Sequence, residues 1–223
     1  MEEKQGYRMF SPITMTDTIW PVTQMPFALS QTKHADIKDR TMSYENNTGY
    51  PSVTEILKPY IDDEWFLPEH AERGTAVHAA CEAHVLGLYV VPLKIEWEPY
   101  FDSFKRWFDA VVDRVVLAEE RLIDKQRGYC GKPDAALIIR GDTKTSLWDW
   151  KTSQAHQSWW PVQGAGYRNL MAVNGFEISR GGSVRLKKDG SGCLVDMWPD
   201  NPAKHFNIFT GLLNAHNYFR RNK

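Results

Sequence analysis

The chain is short of cysteine, of net charge and of long apolar runs. It has three cysteines in 223 residues, Cys81, Cys130 and Cys193, far apart and without a CxxC pair. That disfavours both a zinc site and a disulfide framework, and it fits a reducing, intracellular compartment. No stretch approaches 18 consecutive apolar residues, and the acidic start Met1-Glu2-Glu3-Lys4 is followed by no apolar h-region, so a soluble, cytoplasmic protein without membrane association is expected. Lys plus Arg number 27 against 28 Asp plus Glu, a net charge of -1. A charge so close to zero gives no global pull toward nucleic acid or anionic lipid, so any polyanion site must be local. Internal repeats and low-complexity tracts are lacking too.

What is present is 42% hydrophobic and 13% aromatic content, enough for one sizeable core. Residues 1–48, rich in Thr, Met, Pro, Gln and Asn without periodicity, read as an extended or partly ordered arm, and residues 49–223 as a single domain. Tyr50-Pro51-Ser52-Val53-Thr54-Glu55-Ile56-Leu57 carries the Ser and Glu of a capped short helix that Pro59 would end. A small-residue helix runs from Arg73 toward Gly87. Phe101, Phe104, Trp107, Phe108, Val111, Val112 and Val115 have the three-and-four spacing of a long amphipathic helix. The pattern then predicts strands at about 116–124, 129–140 and 145–152, broken by Gly128 and Gly141-Asp142, in a meander. A helix from about Trp159 with Pro161 in its first turn, ending at Gly175, strands at about 176–187 and 193–198, and a helix closing from Asn201-Pro202 complete the order. That last helix is expected to carry Phe206, Phe209, Leu212, Leu213, His216 and Phe219 on one side.

Two acidic motifs carry the chemistry, Gly131-Lys132-Pro133-Asp134 and Asp149-Trp150-Lys151. Gly131 and Pro133 interrupt a ladder and re-aim the side chain of Asp134. In the next strand, alternation places Asp149 and Lys151 on one face and Trp148 and Trp150 on the other. Asp134, Asp149 and the backbone carbonyl of Trp150 would satisfy magnesium, which keeps several waters and takes one or two carboxylates. Lys151 could then orient or deprotonate a water, or offset developing charge on a phosphodiester. An Asp-x-Lys tripeptide by itself fits a solvated strand face equally well. His78 and Glu82, four apart on the small-residue helix, share a face; an imidazole beside two carboxylates would favour manganese alongside magnesium, and the competing reading is a core histidine. Gln163 and Tyr167, also four apart, would project toward the sheet and could hold Lys151 or a phosphate.

The ordered set Arg73-Gly74-Thr75-Ala76-Val77-His78, Gly131-Lys132-Pro133-Asp134, Asp149-Trp150-Lys151-Thr152-Ser153 and Gln163-x-x-x-Tyr167 resembles the motifs of the PD-(D/E)xK nuclease superfamily, in its RecB-like exonuclease branch. Tyr50 to Leu57 is similar to the entry motif of phage exonucleases of that branch and of the mitochondrial genome maintenance exonuclease. The resemblance spans about residues 50–220. It implies an α/β (α+β) fold with a central mixed β-sheet flanked by helices, a restriction-endonuclease-like core. It also implies a divalent-metal-dependent DNA exonuclease using one or two Mg2+ or Mn2+ ions. On it, Asp134, Asp149, Lys151, Gln163 and Tyr167 become the catalytic set, and His78, Asp134, Asp149 and the Trp150 carbonyl, with Glu82, the metal ligands. Relatives with an iron–sulfur cluster need four spaced cysteines, so that cofactor is expected to be absent. Glu119 or Glu120 could also face the site, and alternation does not choose between them.

The expected partner is DNA, as single strands or duplex ends, with a recombination or single-strand-binding protein as a further candidate and the oligomeric state open. Arg73, Lys132 and Arg168 neighbour the motifs and are the foremost phosphate contacts, with Lys144, Lys187, Lys188 and Arg220-Arg221-Asn222-Lys223 as others. Trp159 and Trp160 could stack unpaired bases, or one ring could fill the core beneath the other. The leading function is end trimming of DNA in phage-type recombination, repair or genome processing. The alternatives are a catalytically silent DNA- or partner-binding module and a structure-specific endonuclease.

Overall fold

The computed structural model describes residues 48–61 and 68–221. The arm expected over residues 1–48 lies outside them, apart from Thr48. Ser52 closes a capping box on the first helix, α1 (Val53–Leu57): its hydroxyl accepts from Glu55 N–H at 3.1 Å and its own N–H donates to the Glu55 carboxylate at 2.6 Å. After a 3-10 turn at Lys58–Tyr60 come α2 (Pro68–Val85) and α3 (Glu98–Val111). Strands β1 (Val112–Ala118), β2 (Leu122–Asp124), β3 (Tyr129–Gly131), β4 (Ala135–Ile139) and β5 (Thr145–Lys151) come next. The chain ends with α4 (Trp160–Val173), β6 (Arg180–Arg185), β7 (Leu194–Met197) and α5 (Pro202–Arg221).

Five strands form one mixed sheet in the order β1-β4-β5-β6-β7, antiparallel except for the parallel pair β5 and β6, which α4 connects. Helices cover both faces, as the sequence resemblance implies. The two cores sort by strand alternation. Leu117, Ala136 and Leu147 pack with α1, α4 and α5, while Leu137, Trp148, Trp150 and Val184 pack with α2 and α3. Trp150, buried to 1% exposure, meets Phe104 edge-on at 5.0 Å and Trp107 at 5.4 Å. Burying rings of that size contributes on the order of 2–3 kcal/mol each. On the other face α4 approaches β6 through glycine. A Cβ on Gly164 or Gly181 would run into the Trp198 indole, whose N–H is fixed to the Ser183 hydroxyl at 3.0 Å.

The structure corrects three expectations. Val112 and Val115 belong to β1, not to the amphipathic helix. Both are β-branched and serve a strand as well as a helix, and Arg140 ends the helix by donating to the carbonyls of Asp109 at 2.9 Å and Val112 at 3.2 Å. The strand expected over 129–140 is two strands in two sheets: β3 pairs with β2 in a separate two-stranded ribbon, and the chain enters the main sheet only at Ala135. Phe219 does not join the buried side of α5; it is 64% exposed, next to Tyr218 at 66%, whereas Phe209 and Leu213 are buried. Among the described residues no helix is long and apolar enough to cross a membrane.

Candidate active site

Asp134 stands where the chain crosses from the β2–β3 ribbon into the main sheet. The β4–β5 ladder ends at the pair Ala135 with Trp148, because Pro133 beyond it has no N–H to offer. The Trp150 N–H, left without a β4 backbone partner, donates instead to Asp134 Oδ2 at 2.6 Å. The other oxygen of Asp134 lies 3.5 Å from His78 Nδ1, so one carboxylate ties α2, β4 and β5 together. Helix α2 can pass close because it is built of small residues: Val77, Ala80 and Cys81 are buried, and Gly74 faces Thr152 at the end of β5.

Glu119 joins this group through an unusual backbone. It comes directly after β1 with a φ of 51°, in the left-handed region that non-glycine residues rarely occupy, and its N–H donates to the Asp134 carbonyl at 3.1 Å. Ligand atoms of His78, Glu119 and Asp134 all lie within 4.8 Å of one another. Lys132 bridges outward from the cluster, 2.8 Å from Glu119 Oε2 and 3.4 Å from Glu82 Oε2. Glu82 thus sits on the far side of an ammonium group from the three potential ligands.

The second half of the site is on β5 and α4. Asp149 and Lys151 share a face, opposite Trp148 and Trp150, as alternation predicts, and Asp149 is 3% exposed. Lys151 Nζ lies 2.6 Å from Asp149 Oδ2 and donates to Gln163 Oε1 at 2.9 Å. The Gln163 amide reaches the Tyr167 hydroxyl at 3.5 Å, so the two residues four apart on α4 form a relay behind the lysine. The indoles of Trp159 and Trp160 complete the surround, with ring centroids 5.2 and 5.7 Å from the ammonium.

Four carboxylates, Glu82, Glu119, Asp134 and Asp149, face one imidazole and two lysines. Burial opposes a charge on His78, but Asp134, Glu119 and Asp149 overcome it and raise its pKa to about 9. Burial, and then the Asp134 charge, pushes Glu119 upward. Asp149 is also raised, by burial against the pull of Lys151. Asp134 goes the other way: burial disfavours its charge, yet His78, Lys151 and the Trp150 N–H hold its carboxyl below the usual range. Burial raises the Tyr167 phenol, keeping it a neutral hydrogen-bonding group. Asp149 Oδ2 is buried and has the Lys151 ammonium, at 2.6 Å, as its neighbour. An imidazole and three nearby carboxylates make a donor set that fits a hard divalent cation.

The remaining candidates are more dispersed. Arg73 turns toward α3, its guanidinium carbon 5.1 Å from the Tyr100 ring centroid and its Nε buried without a hydrogen bond. Arg168 donates to the Ser179 carbonyl at 3.1 Å and lines a separate cleft of about 280 Å3 with Arg180 and His205. Lys132 is engaged by the two glutamates described above. Trp160 is 1% exposed and cannot stack on a base; it is the core ring, and the half-buried Trp159 packs outside it. That corrects the expectation for Trp160. Glu119 is the member of the cluster that spacing could not select. Its signal was only its place at the end of a strand, and the left-handed φ that turns its side chain inward has no sequence signature in a glutamate.

Solved structures similar to this chain include two of one bacterial exonuclease. The alkaline exonuclease LHK-Exo from Laribacter hongkongensis matches at 15% identity with a TM-score of 0.32, over 78% of this chain and 93% of that one. LHK-Exo in complex with dAMP matches at 17% identity and the same TM-score, over 78% and 93%. No family model matches, and no curated protein does. At that TM-score the likeness bears no weight on the site, whose chemistry rests on its own residues.

Proposed function

We propose that the chain is a divalent-metal-dependent deoxyribonuclease that hydrolyses phosphodiester bonds from DNA ends. The observation that carries this reading is the convergence of His78, Glu119 and Asp134 ligand atoms within 4.8 Å, beside a lysine braced by Asp149 and Gln163. Specificity for DNA and for ends rests on the motif resemblance.

His78, Glu119 and Asp134, with Asp149 beside them, would hold Mg2+ or Mn2+, which supplies charge neutralisation at the phosphate and a more acidic water. Asp134 is fixed by the Trp150 N–H, so its second oxygen stays aimed toward His78. Lys151 presents its ammonium next to that cluster, where it hydrogen-bonds the attacking water and offsets negative charge building on the phosphoryl oxygens. Gln163 and Tyr167 orient the amine, and the indoles of Trp159 and Trp160 exclude water from its flank. Hydrolysis leaves a 5'-phosphate and a 3'-hydroxyl.

End-labelled linear duplex, linear single strands and closed circular DNA, each incubated with Mg2+, Mn2+ or EDTA, test the reading. Mononucleotides or short products from the linear substrates with either metal, and none in EDTA, are expected. Lys151→Ala should lower the rate by about 10²–10⁴ while DNA binding is retained. Intact linear DNA under all conditions would overturn it, and cleavage of closed circles would convert it to an endonuclease.

A further inference from the structure

A second surface carries charge of the opposite sign to the catalytic cluster. The β2–β3 turn, the segment leading into α1 and the last turns of α5 enclose an open groove of about 550 Å3. Lys125, Arg127 and Arg220 line it with the amides Gln126 and Asn217, and the Tyr50 ring packs on Gly128, 3.8 Å from where a Cβ would stand. All three cations are exposed. Arg127 is anchored on one side by Asp124 at 3.1 Å, whereas Lys125 and Arg220 make no ion pair among the described residues. No carboxylate lines the groove among those residues; Asp124 below it is buried and already bonded to Arg127 and Asn169. Cations set among amides, with the Tyr50 ring beside them, suit an anionic phosphodiester backbone.

The groove is tied to the catalytic centre by the chain itself. From Gly128 at its rim, β3 and the Gly131–Pro133 bend reach Asp134 in six residues, which at about 3.3 Å per residue spans at most about 20 Å. Along the axis of a duplex the phosphates of one strand recur about every 3.4 Å, so that span corresponds to at most about six nucleotides. We propose that this groove holds the phosphodiester backbone of bound DNA within about six nucleotides of the scissile bond. The inference rests on the nuclease reading for its substrate, but its test reads binding, not cleavage.

The experiment is fluorescence anisotropy of a labelled 20-base-pair duplex with the full chain in EDTA, across a salt series, for the parent and for Lys125→Ala with Arg220→Ala. Both residues are exposed, so thermal unfolding of the variant should match that of the parent. The expected result is roughly tenfold weaker binding at moderate salt and a log K against log salt slope shallower by about 2, one phosphate per cation removed. The charge-retaining pair Lys125→Arg with Arg220→Lys should restore the slope. A slope unchanged in the alanine variant overturns the groove even where the parent cleaves DNA. A parent that binds no duplex overturns the groove together with the nuclease reading, whereas one that binds with the altered slope yet never cleaves supports the groove and sinks only the catalysis.

Discussion

At the scale of single residues, the site depends on one backbone angle. Glu119, with its φ of 51°, brings a third ligand-type group to His78 and Asp134, while its neighbour Glu120 is exposed. Holding a non-glycine residue there costs on the order of 1 kcal/mol or more, which the Asp134 carbonyl and Lys132 help to offset by engaging its N–H and its carboxylate. Glu119→Gln is therefore expected to lower Mn2+ affinity at least about tenfold by isothermal titration calorimetry, with Glu120→Gln indistinguishable from the parent. Equal affinities in the two variants would remove Glu119 from the ligand set. The positions of Asp149 and Lys151 were legible because a strand's period of two fixes which side chains share a face. Glu119 against Glu120 was not, since the chain has left regular structure before either residue. The fates of Trp159 and Trp160 were equally hidden: adjacent residues at a helix start point in different directions, and which ring meets the core depends on how α4 lies on the sheet.

At the scale of elements, the small β2–β3 ribbon is the part that local pattern misread. Apolar residues stand on both sides of Gly131-Lys132-Pro133-Asp134, Tyr129-Cys130 before and Ala135 to Ile139 after, so one bent strand is the natural reading. Only the backbone demands of Gly131 and Pro133 divide it. The ribbon is held to α4 by Asp124, which accepts from the Arg127 N–H at 2.9 Å, the Arg127 guanidinium at 3.1 Å and the Asn169 amide at 2.9 Å. Burial works against its charge, but these donors prevail and hold the Asp124 carboxyl below its ordinary range. A depressed folded-state pKa means that the stabilisation is complete above the unfolded value, about 3.9, and is lost as pH falls below it toward the folded one. Asp124→Asn should cost about 1–2 kcal/mol at pH 7 in denaturant unfolding, and that difference should shrink as pH falls from about 4 to about 2. A gap that stayed constant over the interval would show that the carboxylate's charge is not what anchors the ribbon. The order of helices, the α1 capping box and the Pro161 start of α4 were legible, being written in adjacent residues. The parallel pairing of β5 with β6 was not, because it joins residues 34 positions apart.

At the scale of the whole molecule, a net charge of -1 conceals two poles, a carboxylate cluster around Asp134 and a cationic groove around Lys125 and Arg220. Clustered carboxylates repel one another in the folded chain more than in the unfolded one, so a cation that relieves them stabilises the fold. At about 100 times its dissociation constant such a cation adds about 2.7 kcal/mol. For a protein of this length that is a rise in Tm of about 5–10 °C. Differential scanning fluorimetry with Mg2+ or Mn2+ should show a rise of this order, reversed by EDTA and absent in Asp134→Asn. An unchanged Tm at millimolar metal in the parent would argue against a resident cation.

The crossing at Gly131–Asp134 has a further consequence for the order in which the chain acquires its chemistry. Asp134 belongs to neither sheet; its carboxylate finds its bonds only after the ribbon has docked on α4 and β5 lies alongside β4. The β4–β5 hairpin closes a short loop and can form early, whereas the β5–α4–β6 crossover closes a long one and is slow by its contact order. The bond from Trp150 to Asp134 therefore follows the β4–β5 hairpin, whereas the brace of Lys151 on Gln163 waits for α4. A partly folded chain, fresh from synthesis or opened by local fluctuation, lacks the assembled cluster.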